Sequence, residues 1–395
     1  MTNNIGSAKV KLLCVANTAF FIHNYLLGVI KALKEDGFEV VLAAPEDEYS
    51  KTLEGEGFRC IPVERLDRKG ANGFKDLKLM AELLGIYRKE KPDVVLHYTI
   101  KLNVWGTFAA RLAGASSVCT VTGLGWLFTE KTLVTMIGGF LYKILYRIAF
   151  SLSFGVVFQN STDRDFFIGN RLVAEGKAFL TPGPGVDTNH FSPVFCGSQD
   201  KGQESGRVVF LLLARILWDK GIGEFVEAAR IVKQSHPNAE FWLVGPLDSE
   251  NRAAISEGVV KGWTEEGLIQ YFGRAYDVRE YYCQCDAAVL PSYREGTASS
   301  LIEAMAMGKP VITTDAIGCR DVVEDRKNGF LVPLKDNKAL ASAMMAYIGL
   351  SGEEKEAMGK YSREKALRDF DKKMVTDTYR KIIGRAAGLK DEASL

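Results

Sequence analysis

The sequence lacks any long run of uncharged apolar residues. A membrane-spanning helix needs about 18 or more such residues in succession. The nearest approach, Leu133–Phe158, is interrupted by Lys143 and Arg147. The first residues, Met1–Ser7, are polar, and the apolar run that starts at Val10 does not lead into a cleavage site. We therefore expect a cytoplasmic chain that neither crosses a membrane nor carries a secretion signal.

The sequence also lacks an excess of charge of one sign and a regular, even-numbered set of cysteines. The formal net charge is +1, so there is no basic field that would attract nucleic acid. The seven cysteines are scattered and odd in number, which argues against a disulfide framework and for a reducing compartment. Cys283 and Cys285 have no second pair or nearby histidine to complete a zinc site, so we expect buried free thiols.

Short apolar runs rich in Val, Leu and Phe recur along the chain, separated by amphipathic stretches such as Phe21–Glu35. Continuous rather than alternating apolar runs predict strands that are buried on both faces, as in a parallel sheet covered by helices. The predicted strands are Val10–Ala16, Glu39–Ala44, Arg59–Val63, Asp93–Tyr98, Ser117–Thr122, Gly155–Gln159, Ala178–Thr181, Arg207–Ala214, Glu240–Val244, Ile269–Phe272, Ala287–Leu290, Val311–Thr314 and Phe330–Val332.

The strand and helix pattern pauses after residue 181. The stretch that follows, to residue 206, is dense in Pro, Gly, Asn and Ser, as linkers are. A chain of 395 residues is also long for a single core. We predict an N-terminal domain over 1–186, a linker over 187–206, a C-terminal domain over 207–370, and a final helix within 371–395 that packs back on the first domain.

Two cations follow the strand predicted to end at Ala214. Arg215 and Lys220 lie in a loop with Gly221, at the carboxyl end of a strand, where open parallel sheets bind their ligands. A guanidinium can contact two phosphate oxygens, and a lysine adds a mobile point charge, so the pair suits a diphosphate. By themselves the residues are equally compatible with two solvated loop cations.

Two carboxylates flank a helix start after the strand Ala287–Leu290. Ser299 or Ser300 is expected to cap this helix, whose free N–H groups would bind an anion. Glu295 lies just outside the helix and Glu303 about one turn inside it. One carboxylate can accept from the hydroxyls of a sugar and the other from a ribose diol. The alternative is one loop glutamate and one glutamate favoured by the helix dipole.

Taken together, these residues resemble a known family. Glu295 and Glu303 fit the E-x7-E motif of glycosyltransferase family 4, the retaining enzymes with the GT-B fold. The neighbouring text LPSYREG and LIEAMAMGKPVI, and the series Arg215, Lys220 and Gly221, are similar to that family's C-terminal domain. The resemblance covers essentially the whole chain. It implies an α/β protein with two doubly wound Rossmann-like domains facing a central cleft.

The resemblance also implies a role for each donor-side residue. Arg215 and Lys220 neutralise the departing diphosphate, Glu295 holds the sugar, and Glu303 holds the ribose. The other implied donor-binding positions are Gly245, Arg274, Gly296, Ser299, Ser300 and Leu301. Family members usually need no metal, so we expect a UDP-sugar donor and no cofactor. Many members have Phe-Pro where Thr297 and Ala298 stand here, so the resemblance does not predict the shape of the sugar pocket.

Acceptor candidates follow strands of the first domain. They are Asn17 after the first strand, His97 and Lys101 near the end of the fourth, and Thr122 and Gly123 at the end of the fifth. Many relatives carry a catalytic histidine where Thr122 stands. A mechanism in which the departing phosphate accepts the acceptor's proton needs no such side chain.

Three of the first domain's residues have two interpretations each. His97 is either a substitute base or a satisfied structural histidine, and the same alternatives hold for His23. Lys101 is either a partner for the phosphates of a lipid carrier or a solvated lysine at a helix start.

A narrower branch of the family is resembled by three segments, YTIKLN at Tyr98–Asn103, TGLG at Thr122–Gly125 and TDAIGCRDVVE at Thr314–Glu324. That branch extends sugars on polyprenyl diphosphate carriers in bacterial glycan assembly, and it includes N-acetylhexosaminyltransferases. The segment Leu133–Phe158 fits this, because its apolar residues and cations suit the surface of an anionic membrane, here the cytoplasmic face of the inner membrane. The alternative is a buried helix with snorkelling ends.

Two other functions remain open at this stage. A nucleotide-sugar epimerase on the same fold would turn over its substrate without an acceptor. A non-catalytic scaffold would bind nucleotide sugar or lipid only, although it would have little use for all of Arg215, Lys220, Glu295 and Glu303. A phosphorylase would need a lysine in a pyridoxal-binding context, which the sequence does not show.

Overall fold

The computed structural model describes residues 9–67, 73–123, 133–197 and 207–389. These residues form two compact units, one up to Pro184 together with the chain from Lys372 onwards, and one over Gly185–Asp371. Each unit contains one parallel sheet covered by helices, which confirms the predicted α/β class with two Rossmann-like domains. Gly125, which ends the TGLG text, lies outside the described residues.

The sheet of the first unit has the strand order β3-β2-β1-β4-β5-β6-β7, and all its pairings are parallel. The strands are β1 Lys11–Val15, β2 Glu39–Ala44, β3 Arg59–Pro62, β4 Val94–Tyr98, β5 Ser116–Val121, β6 Gly155–Phe158 and β7 Ala178–Leu180. Leu13 of β1 lies opposite Val41 of β2 and Val95 of β4. These central strands are buried on both faces, which explains their continuous apolar runs.

Helices cover both faces of this sheet. They are α1 Ala19–Phe21, α2 Leu27–Glu35, α3 Ser50–Gly55, α4 Gly73–Glu90, α5 Thr107–Ala113, α6 Leu133–Leu152 and α7 Ser161–Gly169. Two π-helical segments, Ile22–Leu26 and Leu102–Gly106, follow the carboxyl ends of β1 and β4. Such segments are rare and often lie at functional sites.

The second unit has a sheet in the order β10-β9-β8-β11-β12-β13, again parallel. Its strands are β8 Val208–Leu213, β9 Ala239–Val244, β10 Gln270–Tyr271, β11 Ala287–Leu290, β12 Val311–Thr314 and β13 Gly329–Val332. Its helices are α8 Ile222–Ser235, α9 Glu257–Glu265, α10 Arg279–Gln284, α11 Ser299–Ala306, α12 Asn337–Ile348 and α13 Gly352–Asp369. The strand order reverses between β8 and β11, and ligands of such sheets bind at this switch point.

The last helix, α14 over Lys372–Ala386, belongs to the first unit. Its Tyr379 hydroxyl lies 2.8 Å from Thr120 Oγ1 of β5, and its Arg380 forms an ion pair with Asp36. The chain thus returns to its first domain after completing the second.

The predicted linker, 187–206, is described only as far as residue 197, and this part belongs to the second unit. Val186 pairs with Asp371, and Cys196 forms a disulfide with Cys283 of α10. The prediction of free cysteines is therefore wrong for Cys283. Tertiary packing brings together two residues that are 87 positions apart, which spacing along the chain cannot reveal. The other five cysteines, Cys285 included, are free.

Candidate active site

Lys220 and Glu295 form an ion pair at the switch point of the second sheet. Lys220 Nζ lies 2.6 and 2.8 Å from the two carboxylate oxygens of Glu295. The side chains are only 16% and 13% exposed, so the pair is largely shielded from solvent. The fold thus joins two residues that the sequence singled out separately, and it places opposite charges where strands β8 and β11 end.

Close backbone contacts hold these two loops together. Gly221 has a φ of +71°, and a Cβ at this position would lie 2.0 Å from the carbonyl oxygen of Pro291. The Ser292 hydroxyl and the Tyr293 N–H both donate to the carbonyl oxygen of Asp219, at 3.1 and 2.9 Å. The loop after β11 therefore has a fixed position relative to the loop that carries Lys220.

A third loop fixes Glu295 from the other side. The Glu295 N–H donates to the Ile317 carbonyl oxygen at 2.9 Å. Gly318 has a φ of +77°, and a Cβ there would lie 2.4 Å from the Glu295 carbonyl oxygen. The carboxylate is thus carried by a backbone with few alternative positions, which suits a group that must orient a substrate.

Arg215, five residues before Lys220 in sequence, has a different partner. Its guanidinium Nη1 donates to Asp248 Oδ2 at 2.9 Å, and the arginine side chain is 48% exposed. Asp248 follows β9, whose end comes close to the end of β8. A Cβ on Gly245 would lie 1.8 Å from the Ala214 carbonyl oxygen, so this contact requires glycine. The exposed guanidinium retains donors for an anion.

The start of α11 differs from the prediction. The helix begins at Ser299 with Ala298 as its N-cap residue, and no side chain caps it. The expectation that Ser299 or Ser300 caps the helix is wrong, because both serines already lie inside the first turn. The Leu301 N–H donates to the Ala298 carbonyl oxygen at 3.0 Å. The proposed phosphate contacts of these backbone groups remain a prediction.

Glu303 is positioned by a residue that the sequence did not single out. The hydroxyl of Tyr282, in α10, lies 3.1 Å from Glu303 Oε2 and 2.8 Å from the Ser300 carbonyl oxygen. Tyr282 is fully buried. No sequence motif marks Tyr282, since only the fold brings its hydroxyl to the carboxylate.

The remaining donor-side positions lie in loops after strands. Gly245 directly follows β9 and donates its N–H to the Gly273 carbonyl oxygen at 2.7 Å. Arg274 follows Gly273, with its guanidinium 5.8 Å from the ring centre of Tyr276. Gly296 directly follows Glu295 in the loop between β11 and α11. Their contacts with a donor remain predictions.

His97 does not reach solvent. It is fully buried, with Nε2 at 2.9 Å from the Tyr87 hydroxyl and Nδ1 at 2.9 Å from Ser117 Oγ. Burial lowers the pKa of His97 to about 3, so the ring is neutral. A Cβ on Gly106 would lie 2.5 Å from this ring, so the space around it is filled. The assignment of His97 to acceptor binding is therefore corrected in favour of its structural interpretation.

His97 predicts a pH dependence of stability. An unfolded histidine has a pKa of about 6.5. Between pH 6.5 and 3, residue 97 therefore binds a proton in the unfolded chain but not in the folded chain. The free energy of unfolding therefore falls as the pH falls, by about 2 kcal/mol at pH 5 from this residue. Urea unfolding at pH 7 and pH 5 should show a smaller loss for His97→Gln than for the wild type. An equal loss would contradict the assigned burial.

Lys101 is likewise satisfied within the protein. Its Nζ lies 2.7 Å from the Asp67 carbonyl oxygen and 3.1 Å from Asp76 Oδ1, and the side chain is 13% exposed. Neither sequence interpretation anticipated this, because the partners come from distant parts of the chain. The ammonium group thus binds a carboxylate in the first turn of α4 and a backbone carbonyl, rather than standing free for a carrier phosphate.

Acceptor binding by Asn17, Thr122 and Gly123 stays a prediction. Asn17 follows β1, and its buried Oδ1 has no hydrogen-bond partner. His23, in the first π-helical segment, has a buried Nδ1 that also has no hydrogen-bond partner. Buried polar atoms are normally satisfied, so these two atoms are candidates for contact with a substrate. Thr122 and Gly123 follow β5 and are partly buried.

Two features are absent from the described residues. No helix there combines the length and the apolar character that a membrane crossing requires. No three His, Cys, Asp or Glu residues in those parts of the chain are grouped so that they could hold a metal ion.

The fold and the site define a class of protein. Two parallel Rossmann-like sheets, with cations and carboxylates at the switch point of the second, are the architecture of a GT-B glycosyltransferase. The family model described as glycosyl transferase 4-like matches residues 9–160, and that of glycosyl transferases group 1 matches residues 207–349. The chain belongs to glycosyltransferase family 4, and it is a glycosyltransferase.

Several similar proteins are named glycosyltransferases. An N,N'-diacetylbacillosaminyl-diphospho-undecaprenol alpha-1,3-N-acetylgalactosaminyltransferase of Campylobacter jejuni is 28% identical, over 92% of this chain and 96% of that protein. A capsular polysaccharide biosynthesis glycosyltransferase, CapM, of Staphylococcus aureus is 26% identical over 88% of this chain and 90% of its own. A UDP-Gal:alpha-D-GlcNAc-diphosphoundecaprenol alpha-1,3-galactosyltransferase of Escherichia coli is 27% identical, over 69% and 70% respectively.

Solved structures agree on the fold. A glycosyltransferase from Rickettsia africae superposes with a TM-score of 0.77, at 19% identity over 98% of this chain and all of that one. HepE of Anabaena, in complex with UDP and glucose, has a TM-score of 0.76 at 18% identity, over 95% of this chain and all of its own. At such identities the likeness establishes the shared architecture. None of these relatives supports the epimerase or scaffold alternatives.

Proposed function

We propose that this glycosyltransferase is a retaining enzyme that moves a hexose or N-acetylhexosamine from a UDP-sugar to a polyprenyl-diphosphate-linked sugar. The reaction would belong to the assembly of bacterial surface glycans or glycoprotein glycans. The names of the Campylobacter and Escherichia relatives support an undecaprenyl-diphosphate-linked acceptor, and the latter name also supports UDP. The capsular relative supports a role in polysaccharide biosynthesis.

The observation that carries the donor half is the shielded ion pair of Lys220 and Glu295, with Arg215 in the segment after β8 that also carries Lys220. Without a donor, the two side chains neutralise each other. In the proposed complex, Lys220 and Arg215 bind the diphosphate, whose negative charge grows as the bond to the sugar breaks. Glu295 then accepts hydrogen bonds from the sugar hydroxyls, and Glu303 accepts from the ribose. These cations fill the role of a metal, so the proposal includes no cofactor.

The proposed chemistry takes place on one face of the sugar. The bond between the anomeric carbon and the phosphate oxygen breaks, and an acceptor hydroxyl oxygen bonds to the same carbon from the same side. The departing phosphate takes the hydroxyl proton, so the configuration is retained without a side-chain base. The burial of the neutral His97 supports this route, because that imidazole is not available to a substrate.

Asn17, Thr122 and Gly123 are the acceptor-binding residues in this proposal. His23 joins them because its buried Nδ1 lacks a partner, as does Asn17 Oδ1. Each atom can accept a hydrogen bond from a separate sugar hydroxyl, if the histidine carries its proton on Nε2. Hydrogen bonds to such atoms would distinguish one acceptor sugar from another, because an unpaired buried acceptor costs binding free energy.

The function is tested by a donor screen. Purified protein is incubated with single nucleotide sugars and a short polyprenyl-diphosphate-linked N-acetylhexosamine, and the products are identified by mass spectrometry. We expect transfer from a UDP-sugar and an α-linkage by NMR for an α-linked donor. A product of inverted configuration would contradict the retaining mechanism. Lack of transfer from every nucleotide sugar would overturn the proposed donor and acceptor.

The proposal includes peripheral attachment to the cytoplasmic face of the inner membrane. The described part of α6 packs Tyr146 and Ala149 into the core and exposes Ile144, Ile148 and Leu152, at 43%, 46% and 41%. These three residues follow the helical repeat, and they form an apolar strip of the kind that anionic bilayers bind at their surface. The helix ends at Leu152, so the predicted segment to Phe158 is not one helix.

Liposome flotation tests this attachment. At low salt the protein is expected to float with phosphatidylglycerol vesicles, and Ile144→Glu with Ile148→Glu should lower the bound fraction about tenfold or more, because both apolar contacts are replaced by repelled charges. Leu334→Glu, an equally exposed leucine of the second unit, is the control and should bind as the wild type does. Failure of the wild type to float would rule out attachment.

A further inference from the structure

The disulfide between Cys196 and Cys283 stands beside five free thiols, so it is not part of a disulfide framework. Cys283 lies in α10 and is 6% exposed, whereas Cys196 ends a short 3₁₀ helix, Pro193–Cys196, and is more accessible. In proteins of reducing compartments, an isolated disulfide of this kind is usually transient and responds to redox conditions.

The disulfide-bonded Cys283 directly follows Tyr282, which contacts Glu303 of the candidate site. Tyr282 precedes Cys283 in α10, a helix of only 6 residues. The Tyr282 hydroxyl lies 3.1 Å from Glu303 Oε2 and 2.8 Å from the Ser300 carbonyl oxygen. Because Tyr282 and Cys283 are adjacent on a short rigid element, a change in the position of one changes the position of the other.

Noncovalent contacts hold the same segments together without the disulfide. The Arg279 guanidinium lies 4.0 Å from the ring centre of Phe195. Lys309 Nζ donates to the carbonyl oxygens of Cys283 and Cys285 at 3.1 and 2.9 Å. Both segments should therefore stay folded after reduction, but with one restraint fewer on α10.

We propose that Cys196 and Cys283 form a thiol–disulfide exchange site that controls donor affinity through Tyr282 and Glu303. The coupling rests on the proposed function, since Glu303 binds the donor ribose only there. The disulfide form holds α10 against the segment that ends at Cys196 and keeps the Tyr282 hydroxyl on Glu303. The dithiol form releases this restraint and weakens donor binding.

The exchange needs a dithiol or disulfide of low molecular weight. A thiolate of the dithiol attacks Sγ of Cys196, the more exposed sulfur, and the bond to Cys283 breaks. The Cys283 thiolate leaves and takes up a proton. The second thiol of the reagent then attacks the mixed disulfide, releases Cys196, and becomes a cyclic disulfide. Two electrons and two protons pass from the reagent to the protein, and glutathione disulfide reverses the process.

The first measurement is independent of enzyme activity. The full-length protein is equilibrated with glutathione disulfide or with dithiothreitol, alkylated, digested and analysed by mass spectrometry. A linked peptide of Cys196 and Cys283 is expected after oxidation, and alkylated thiols at both positions after reduction. Absence of the linked peptide under oxidising conditions would overturn the exchange site.

The second measurement is UDP affinity by calorimetry in the two redox states. Reduction should weaken UDP binding about tenfold, as expected for the loss of one hydrogen bond to a charged group. Cys196→Ser should bind as weakly as the reduced wild type in both states. Cys60→Ser, a cysteine of the first unit, is the matched control and should retain the full redox response. In Tyr282→Phe the affinity should be low and independent of redox state.

The outcomes separate the two proposals. Equal UDP affinity in both states, with the linked peptide present, would overturn the coupling alone. A redox response that persists in Tyr282→Phe would overturn the route through Tyr282. Absence of UDP binding in either state would overturn the proposed donor, and the coupling with it.

Discussion

Replacing Glu295 by glutamine is expected to lower kcat about 100-fold, while UDP binds as well as before or more tightly. The carboxylate contacts the sugar in the proposed complex, and the sugar becomes positive as its bond to the diphosphate breaks. A charged hydrogen bond that strengthens in the transition state accounts for a loss of this size. UDP has no sugar to contact, and without Glu295 the ammonium group of Lys220 is free for the diphosphate.

Steady-state transfer kinetics and calorimetry with UDP check this result. Glu265→Gln is the matched control, because Glu265 is exposed at the end of α9 and takes no part in the site. Glu303→Ala should show the complementary pattern, with weaker UDP binding, because the ribose is present in UDP. If Glu295→Gln weakened UDP binding and Glu303→Ala did not, the two roles would be exchanged.

Replacing Lys220 by glutamine is expected to damage both binding and catalysis. The substitution removes one cation from the diphosphate. It also leaves Glu295, whose side chain is only 13% exposed, without its ion-pair partner. The unpaired carboxylate then repels the donor phosphates. We expect UDP affinity to fall about 10- to 100-fold and kcat to fall by a similar factor, because the diphosphate gains charge as it leaves.

The pairing itself provides a further check on Lys220. In the double variant, with Lys220→Gln and Glu295→Gln, the repulsion is gone, so UDP should bind better than in Lys220→Gln alone. Strictly additive effects on UDP affinity would contradict the contact between the two side chains. Lys261→Gln, at an exposed position of α9 in the same unit, controls for the general loss of one positive charge.

The strands were predictable because their signal is local. Parallel strands buried on both faces must be apolar along their length, so runs such as Val311–Thr314 match strand β12 without reference to the rest of the chain. The same holds for the cations and carboxylates after β8 and β11. A loop at the carboxyl end of a strand is recognisable from the strand that precedes it.

The errors concern contacts between distant residues. His97 was a candidate for acceptor binding, but it is buried and hydrogen-bonded to Tyr87 and Ser117. Lys101 was a candidate for a carrier phosphate, but it pairs with Asp76. The N-cap of α11 was misjudged because a serine favours that position locally, whereas the Gly318 carbonyl oxygen accepts the Ala298 N–H and sets where the turn begins. Each correction depends on packing that no local pattern records.

The sequence by itself determined the architecture, the family and the four donor-side charges, because apolar runs and loop motifs are properties of short segments. Only the tertiary structure decided which of those charges meet. It paired Lys220 with Glu295 and Arg215 with Asp248, gave Glu303 the hydroxyl of Tyr282, and joined Cys196 to Cys283. The physical reason is that hydrogen bonds and ion pairs depend on distances of a few ångströms, which these residues of the second unit acquire only when its sheet and helices have formed.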